Sequence, residues 1–325
     1  MNSLETISGD FNVSFNDAIE SLIGLESLSS VGGKIRVTNN YELQNLQGLE
    51  NITHVHESLR ISNNDNLISI EELENINTIG GSLIVFVNNS LPSLEGLHNL
   101  SSVGGYLWII GCYYLPNLDG LRSLVSVDGN LNINGNTILS NLKGLLNLTS
   151  INGHLRIGNN GSAGTNPNLT SLHGLDNIEY STIQKLLITH NNLLTECDVK
   201  SICEYLSSPS SDADIFNNTT GCNSQYEVEE ACLVFIGDET VSPQVKVYPN
   251  PFNTITTFEY TLQQPSTVQI TIFNYLGKEV EVIRQQQNSG SQKVAWDASS
   301  FSTGIYYYHS QIGTKPASGK LVILR

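Results

Sequence analysis

The chain repeats its pattern of apolar residues every 24 positions through most of its N-terminal part. One column of equivalent positions begins at Phe11 and Val13 and continues through Ile35, Leu59, Leu83, Leu107, Leu131 and Leu155. The same step links a second column: Leu25, Leu49, Leu73, Leu97, Leu121 and Leu145. After an insertion at 161–167 the register of the two columns resumes at Leu175 and Leu186. A constant period of this length predicts a solenoid, in which each coil buries its apolar side chains against its neighbours. We expect about eight coils before a cluster of cysteines.

Within one coil, 58–81, the apolar residues follow two spacings. Leu59 and Ile61 alternate as in a strand, and the later ones advance by threes, at Leu67, Ile70, Leu73, Ile76 and Ile79. Steps of three fit short strands and corners better than a continuous helix. Each buried Leu or Ile contributes about 1.5–3 kcal/mol. The pattern predicts a mainly β fold, a right-handed parallel β-helix or leucine-rich solenoid.

A column of asparagines follows the strand column. A side-chain amide offers both a donor and an acceptor, so stacked amides can bond one another and the turn backbone. Cys112 occupies the slot between two of these amides, and we expect it to be a small buried thiol rather than a reactive centre. The column consists of Asn16, Asn40, Asn64, Asn88, Asn136, Asn160 and Asn191.

The repeated pattern SLxGLxNLxSVGGxLxIxxNxxL is present at 93–115 and 141–160. It resembles the receptor L-domain group of leucine-rich solenoids, which occurs in receptor ectodomains and in bacterial surface proteins. The resemblance covers roughly residues 11–200 and implies a right-handed parallel β-helix. An ordinary leucine-rich horseshoe is the alternative, but it lacks the Gly-Gly offset.

Four of the five cysteines crowd into the segment that follows the solenoid. This spacing indicates disulfides in an oxidising compartment, and a zinc site is the less favoured alternative because no CxxC pair is present. Helices are predicted at 198–206 and after a capping box formed by Ser224 and Glu227. A last strand is predicted at 212–218, with Asp212 and Asp214 as solvated turn residues. Stacking that strand on the preceding coil favours, among three possible pairings, Cys197–Cys222 and Cys203–Cys232.

The predicted domains are a solenoid at 1–194, a cysteine-containing cap at 195–234, a linker at 235–243 and a C-terminal domain at 244–325. Short strands punctuated by Pro, Gly and Ser indicate that this last domain is an Ig-like antiparallel β-sandwich. Its ordered motifs are YPNPF (248–252), FNYLGKEV (273–280), STGIY (302–306) and a final GKLVILR.

These motifs resemble the C-terminal sorting domain of the Bacteroidetes type IX secretion system. The resemblance implies that the secretion machinery exports the chain through the outer membrane, that the tail is then removed, and that the protein is secreted or attached to surface lipopolysaccharide. The N-terminal MNSLETISGDFN shows neither a basic nor an apolar segment of a signal peptide. We therefore expect that the natural chain begins further upstream.

A net charge of −16 argues against nucleic acid as a partner. No catalytic motif is present, so we expect no catalytic residue, no metal, no cofactor and no enzymatic activity. The favoured function is recognition or adhesion at the cell surface, with a protein or glycan as ligand. The alternatives are the recognition and targeting part of a larger secreted hydrolase, and a purely structural spacer.

The candidate binding residues follow from the strand register. Leu107 and Ile109 are inward positions, so Trp108 and Ile110 point outward, as do their equivalents one coil earlier. We expect a ligand at this face, although a loop, a second copy or the tail could instead cover it. The candidate residues are Arg60, Ile84, Phe86, Tyr106, Trp108, Ile110, Tyr113 and Tyr114.

Overall fold

The computed structural model describes residues 4–159, 164–235, 245–262, 264–274, 278–312 and 315–325. The chain divides into two compact units, Met1–Cys232 and Leu233–Arg325. The predicted linker 235–243 lies, apart from Phe235, outside the described residues, and so do residues 275–277 of the FNYLGKEV motif.

Two parallel sheets form the first unit. Across the described residues, the broad sheet has nine strands: Phe11–Ser14, Ile35–Thr38, Leu59–Ser62, Leu83–Phe86, Leu107–Ile110, Leu131–Asn134, His154–Ile157, Lys185–Thr189 and Ala213–Phe216. Over the same part of the chain, the narrow sheet has seven strands of two residues: Thr6–Ile7, Ser30–Val31, His54–Val55, Thr78–Ile79, Ser102–Val103, Ser126–Val127 and Ser150–Ile151. Short 3-10 helices lie on the connections, at Glu71–Leu73, Asp119–Leu121, Lys143–Leu145 and Tyr180–Thr182. The predicted solenoid is confirmed, and the cap strand supplies the ninth coil.

The core follows the 24-residue register. Leu107 pairs with Leu83 on one side and with Leu131 on the other, and all three side chains are fully buried. The Gly pairs before the strands permit close approach of successive coils, because a Cβ on Gly104 would lie 2.3 Å from the carbonyl oxygen of Gly80.

The asparagines form a ladder inside the solenoid, in two runs that Cys112 separates. The Oδ1 atom of Asn64 accepts the backbone N–H of Asn40 at 3.0 Å and its Nδ2–H at 3.3 Å. The Nδ2 atom of Asn64 donates to the carbonyl of Val37 at 2.9 Å and to Oδ1 of Asn88 at 3.3 Å. Side-chain bonds of this kind join one run of four asparagines before Cys112 and a second run of four after it: Asn16, Asn40, Asn64 and Asn88, then Asn136, Asn166, Asn191 and Asn218.

One predicted member of the ladder is wrong. Asn160 lies outside the described residues, and the rung between Asn136 and Asn191 is Asn166, which bonds both. Ladder partners are 24 residues apart in the regular coils, whereas Asn136 and Asn166 are 30 apart. The additional residues of this coil therefore come before its ladder residue, Asn166, and not after it.

Cys112 fills a rung of the ladder, as predicted. Its backbone N–H donates to Oδ1 of Asn136 at 3.0 Å. Burial raises the pKa of its thiol to about 12, and only the backbone N–H of Asn88 acts against this rise. The side chain therefore remains a protonated thiol at neutral pH, which makes it a poor nucleophile.

The cap closes the last coil with two helices, Lys200–Leu206 and Gln225–Phe235. Disulfides join Cys197 to Cys222 and Cys203 to Cys232, with Cα–Cα distances of 5.7 and 5.4 Å, in the predicted pairing. No helix among the described residues is long and apolar enough to cross a bilayer.

The capping box of the second cap helix is half formed. Oγ of Ser224 accepts the N–H of Glu227 at 3.2 Å. The Glu227 carboxylate accepts the N–H groups of Gly221 and Asn223 instead of that of Ser224.

The second unit contains two antiparallel sheets, as expected for a β-sandwich. Trp296, Phe258 and Tyr260 are fully buried in its core. Lys246–Tyr248 is a strand that the sequence pattern did not predict. One sheet contains Lys246–Tyr248, Ile255–Leu262 and Gly290–Asp297, and the other contains Glu279–Gln287, Ser266–Asn274, Gly304–Ile312 and Lys315–Ile323, each in spatial order.

Candidate functional site

The outer face of the broad sheet presents three columns of side chains. Successive side chains of a strand point to opposite faces, so the residues that flank the buried Leu107 and Ile109 lie on the outer face. Equivalent residues lie side by side, since Trp108 pairs with Ile84 and with Asn132. On the strands around the candidate residues, the columns are Lys34, Ser58, Ser82, Tyr106 and Asn130; then Arg36, Arg60, Ile84, Trp108, Asn132 and Arg156; then Thr38, Ser62, Phe86, Ile110 and Asn134.

Five of the candidate residues form one cluster on two neighbouring strands, which we call the aromatic patch: Ile84, Phe86, Tyr106, Trp108 and Ile110. The ring centroids of Tyr106 and Trp108 are 4.5 Å apart, and the rings are inclined at 34°. Ile84 is only 6% exposed, whereas Tyr106 is 36% exposed. Phe86, Trp108 and Ile110 are half-buried. The side chains thus support one another on the sheet surface, outside the solenoid core.

Arg60 borders the aromatic patch on the next strand. Its guanidinium carbon lies 5.9 Å from the centroid of the Phe86 ring, which is within the range of a cation–π interaction. Its Nε donates to Oγ of Ser62 at 3.0 Å. These two contacts hold the guanidinium beside the patch.

Tyr113 and Tyr114 lie past the end of the strand. Gly111 turns the chain there with a φ of +70°, and the two tyrosines are 49% and 65% exposed. Among the described residues, no ring contact joins either of them to the aromatic patch. They belong to the same coil, but they are not part of the cluster.

A depression of about 220 Å³ adjoins the aromatic patch. Three of its residues were not predicted, namely Lys34, Arg36 and Ser58. They could have been found by counting back in steps of 24 from Tyr106 and from Arg60. Its complete lining is Lys34, Arg36, Ser58, Arg60, Ile84 and Tyr106.

Two carboxylates stand beside the cations of the depression. Nζ of Lys34 lies 3.8 Å from the Glu57 carboxylate, and Nη1 of Arg36 donates to Asp10 at 2.7 Å. The backbone N–H of Lys34, and then the Arg36 guanidinium, lower the pKa of Asp10 below its usual value. Asp10 is therefore ionised at neutral pH. In the part of the chain that the structure describes, no cluster of three or more His, Cys, Asp or Glu residues is arranged to hold a metal ion.

Val87, directly after Phe86, has a left-handed backbone with a φ of 51°. The equivalent residues Asn39 and Asn63 have φ values of 57° and 55°, and Nδ2 of Asn63 donates to Oδ1 of Asn39 at 3.0 Å. The left-handed region is unfavourable for a β-branched residue and is tolerated by asparagine. The aromatic patch therefore ends on a strained residue.

We expect Val87→Asn to stabilise the solenoid by about 1 kcal/mol, because it removes this strain and places an amide beside Asn63. Calorimetry should show a rise of roughly 2–4 °C in the melting temperature. Val125→Asn is the control, since Val125 is exposed and has no left-handed φ. A lower melting temperature for Val87→Asn would contradict the assignment of strain.

The solenoid with its aromatic patch is followed in the chain by a separate antiparallel domain. Residues 246–324 match the family described as the secretion system C-terminal sorting domain. The match confirms the predicted sorting domain, which directs the chain to type IX secretion and hence to the outside of the cell, released or held at the surface. No curated protein matches the chain.

Proposed function

We propose that this chain is a non-enzymatic recognition or adhesion protein whose solenoid binds a protein or glycan outside the cell. The observation that carries the proposal is the aromatic patch. Trp108, Tyr106 and Phe86 are of residue types that dominate interface energetics, and they lie together on a flat and open face.

The position of the patch within the sheet supports this function. Neighbouring strands carry polar residues in the same columns, such as Asn132 and Asn134. The two strands of the patch are therefore apolar where the strands next to them are polar. Leu187 and Phe216 are apolar residues of the same columns that lie on more distant strands, outside the patch. An apolar cluster with a polar rim is typical of an interaction site.

The kinship of the solenoid with receptor L-domains is part of the proposal. It is supported by the 24-residue repeat, by the Gly pairs at the strand entrances and by the stacked asparagines. Recognition of ligands by an ectodomain agrees with export of the chain. Removal of the tail after about residue 240 would leave the solenoid and its cap in the mature protein, attached to surface lipopolysaccharide.

Trp108→Ala tests the proposed function. The purified variant and the wild-type chain are applied to a glycan array and to a panel of immobilised secreted proteins. We expect a loss of about thirtyfold in affinity for the bound ligand, as for a central interface residue. The melting temperature should change little, because Trp108 lies outside the core.

Asn132→Ala is the matched control, since Asn132 occupies the same column on the adjacent strand. It should bind as the wild type does. Equal binding by Trp108→Ala and the wild type would exclude this surface as the recognition site. A large fall in the melting temperature of Trp108→Ala would show that the tryptophan serves the fold.

A further inference from the structure

The depression beside the aromatic patch has a cationic end and an aromatic end. Lys34 and Tyr106 belong to the same column and are separated by three strand spacings, about 14 Å. Between them stand Ser58 and Ser82, whose short side chains leave the space open. The depression is therefore a short trough across four strands, with Ile84 in its lining.

Three cations gather here on a chain whose net charge is −16. Lys34 and Arg36 each face a carboxylate, Glu57 and Asp10 respectively. Arg60 contacts a serine hydroxyl and the edge of the aromatic patch instead. Within the described part of the chain, no carboxylate forms an ion pair with Arg60. Arg60 is thus the cation that an anionic ligand can approach without displacing a carboxylate.

The serines add hydrogen-bonding capacity to the trough. Oγ of Ser58 accepts the N–H of Ser82 at 3.0 Å, and Oγ of Ser82 accepts the N–H of Tyr106 at 3.1 Å. A hydroxyl that accepts one bond still has its own O–H to donate. Ser58 is half-buried and Ser82 is buried, so Ser58 is the accessible donor.

The backbone of this face is already paired. The strands Leu59–Ser62, Leu83–Phe86 and Leu107–Ile110 bond one another in parallel register. An extended peptide that adds to a sheet requires a free edge, which the middle of the sheet does not offer. Recognition at this face therefore depends on side chains, namely the Tyr106 ring, the Ser58 hydroxyl and the Arg60 guanidinium.

We propose that the trough binds an acidic carbohydrate, with a uronic acid carboxylate at Arg60 and the sugar ring against Tyr106. The inference rests on the proposed recognition function and names its ligand class. The planar guanidinium matches a carboxylate with two parallel hydrogen bonds. The C–H face of a sugar ring packs on an aromatic ring, and its hydroxyls can accept from Ser58.

The test uses the full chain and three probes in calorimetric titrations: oligogalacturonate, the same oligosaccharide with its carboxyl groups reduced, and polyglutamate. We expect the wild type to bind oligogalacturonate at least about tenfold more tightly than either of the others. Reduction of the carboxyl groups removes the negative charge and keeps the sugar ring. Polyglutamate keeps the carboxylates but has no sugar ring.

Arg60→Gln should weaken binding of oligogalacturonate by about ten- to a hundredfold. Arg156→Gln is the matched control, because it removes the same charge from the same column two strands beyond Trp108, and it should bind as the wild type does. Tyr106→Ala should weaken binding of both oligosaccharides.

The inference is overturned if oligogalacturonate does not bind, if polyglutamate binds equally well, or if Arg60→Gln and Arg156→Gln behave alike. Failure of the proposed function has a different signature. In that case Trp108→Ala and Tyr106→Ala bind every array ligand as the wild type does. Loss of array binding by Trp108→Ala, without any affinity for oligogalacturonate, would keep the recognition surface and exclude the acidic sugar.

Discussion

A chain that ends at Gly319 will accumulate in the periplasm instead of reaching the cell surface. The deleted segment contains Leu321 and Ile323, which are fully buried in the core of the second unit. Their burial contributes about 3–6 kcal/mol, a large share of the about 5–15 kcal/mol that stabilises an ordinary domain. The sorting domain should therefore lose its fold and, with it, recognition by the secretion machinery.

The deletion also removes the bonding partners of the YPNPF motif. Nδ2 of Asn250 donates to the carbonyl of Lys320 at 2.6 Å, and its Oδ1 accepts the N–H of Val322 at 2.9 Å. The backbone of Phe252 bonds Val322 and Leu324. The first and last motifs of the domain thus form a single bonded structure.

The measurement is cell fractionation and surface labelling in a host with type IX secretion. Leu321→Asn should block export like the deletion, because it disrupts the core without shortening the chain. Leu324→Ser is the matched control, since this side chain is exposed and its bond to Phe252 is made by the backbone. Normal surface display of the truncated chain would refute the requirement for a folded tail.

Asn64→Leu will destabilise the solenoid by roughly 3–6 kcal/mol. The substitution leaves the buried backbone N–H of Asn40 without its acceptor. It also removes one bond each from the side-chain amide of Asn40, the carbonyl of Val37 and Oδ1 of Asn88, although Asn40 keeps its bond to Val13 and Asn88 keeps the N–H of residue 64. The unpartnered N–H costs about 1–3 kcal/mol and each of the other lost bonds about 0.5–1.5 kcal/mol. The larger leucine adds about 1–3 kcal/mol of overpacking between the neighbouring rungs, and its burial offsets about 1.5–3 kcal/mol.

Scanning calorimetry should show a fall of about 6–20 °C in the melting temperature of the solenoid, with the sorting domain as an internal reference. Asn66→Leu is the control from the same coil, because Asn66 is exposed and bonds only the Glu42 side chain. A second comparison is Cys112→Asn, which restores an amide to the ladder and should leave stability equal or higher. Similar melting temperatures for Asn64→Leu and Asn66→Leu would refute the energetic role of the ladder.

The repeat explains why so much of the fold could be predicted. Each inward position is repeated in successive coils, so that Leu59, Leu83 and Leu107 support the same register independently. The disulfides followed from the same reasoning, because the cap strand Ala213–Phe216 pairs in register with Lys185–Thr189. Stacking then places Cys222 beside Cys197.

The errors occur where the repeat is interrupted. From the sequence alone, the inserted residues could be placed before or after the ladder position of their coil. Both Asn160 and Asn166 are asparagines, so either could have filled that position. Asp214 lies in the strand Ala213–Phe216 and not in a turn. Asp212 and Asp214 are solvated, as expected, but both also bind Nζ of Lys185, at 3.0 and 3.1 Å. These contacts raise the pKa of Lys185. They depend on the register of the cap strand, where the 24-residue count no longer holds.

The candidate site could be predicted only in part. Register alone brought Ile84, Phe86, Trp108 and Ile110 together. The depression depends on side-chain length, because Ser58 and Ser82 leave a gap between Lys34 and Tyr106. The stacking of Tyr106 on Trp108 depends on rotamers, which a column alignment does not contain.

The last strand has a consequence for protein synthesis. Because Lys315–Ile323 completes the core of the sorting domain, that domain cannot fold until this strand has been translated and has emerged from the ribosome. A product of premature termination lacks a folded tail, however well its solenoid folds. Only chains translated through this strand can then be displayed, so the export step excludes products of premature termination even when their solenoid is folded.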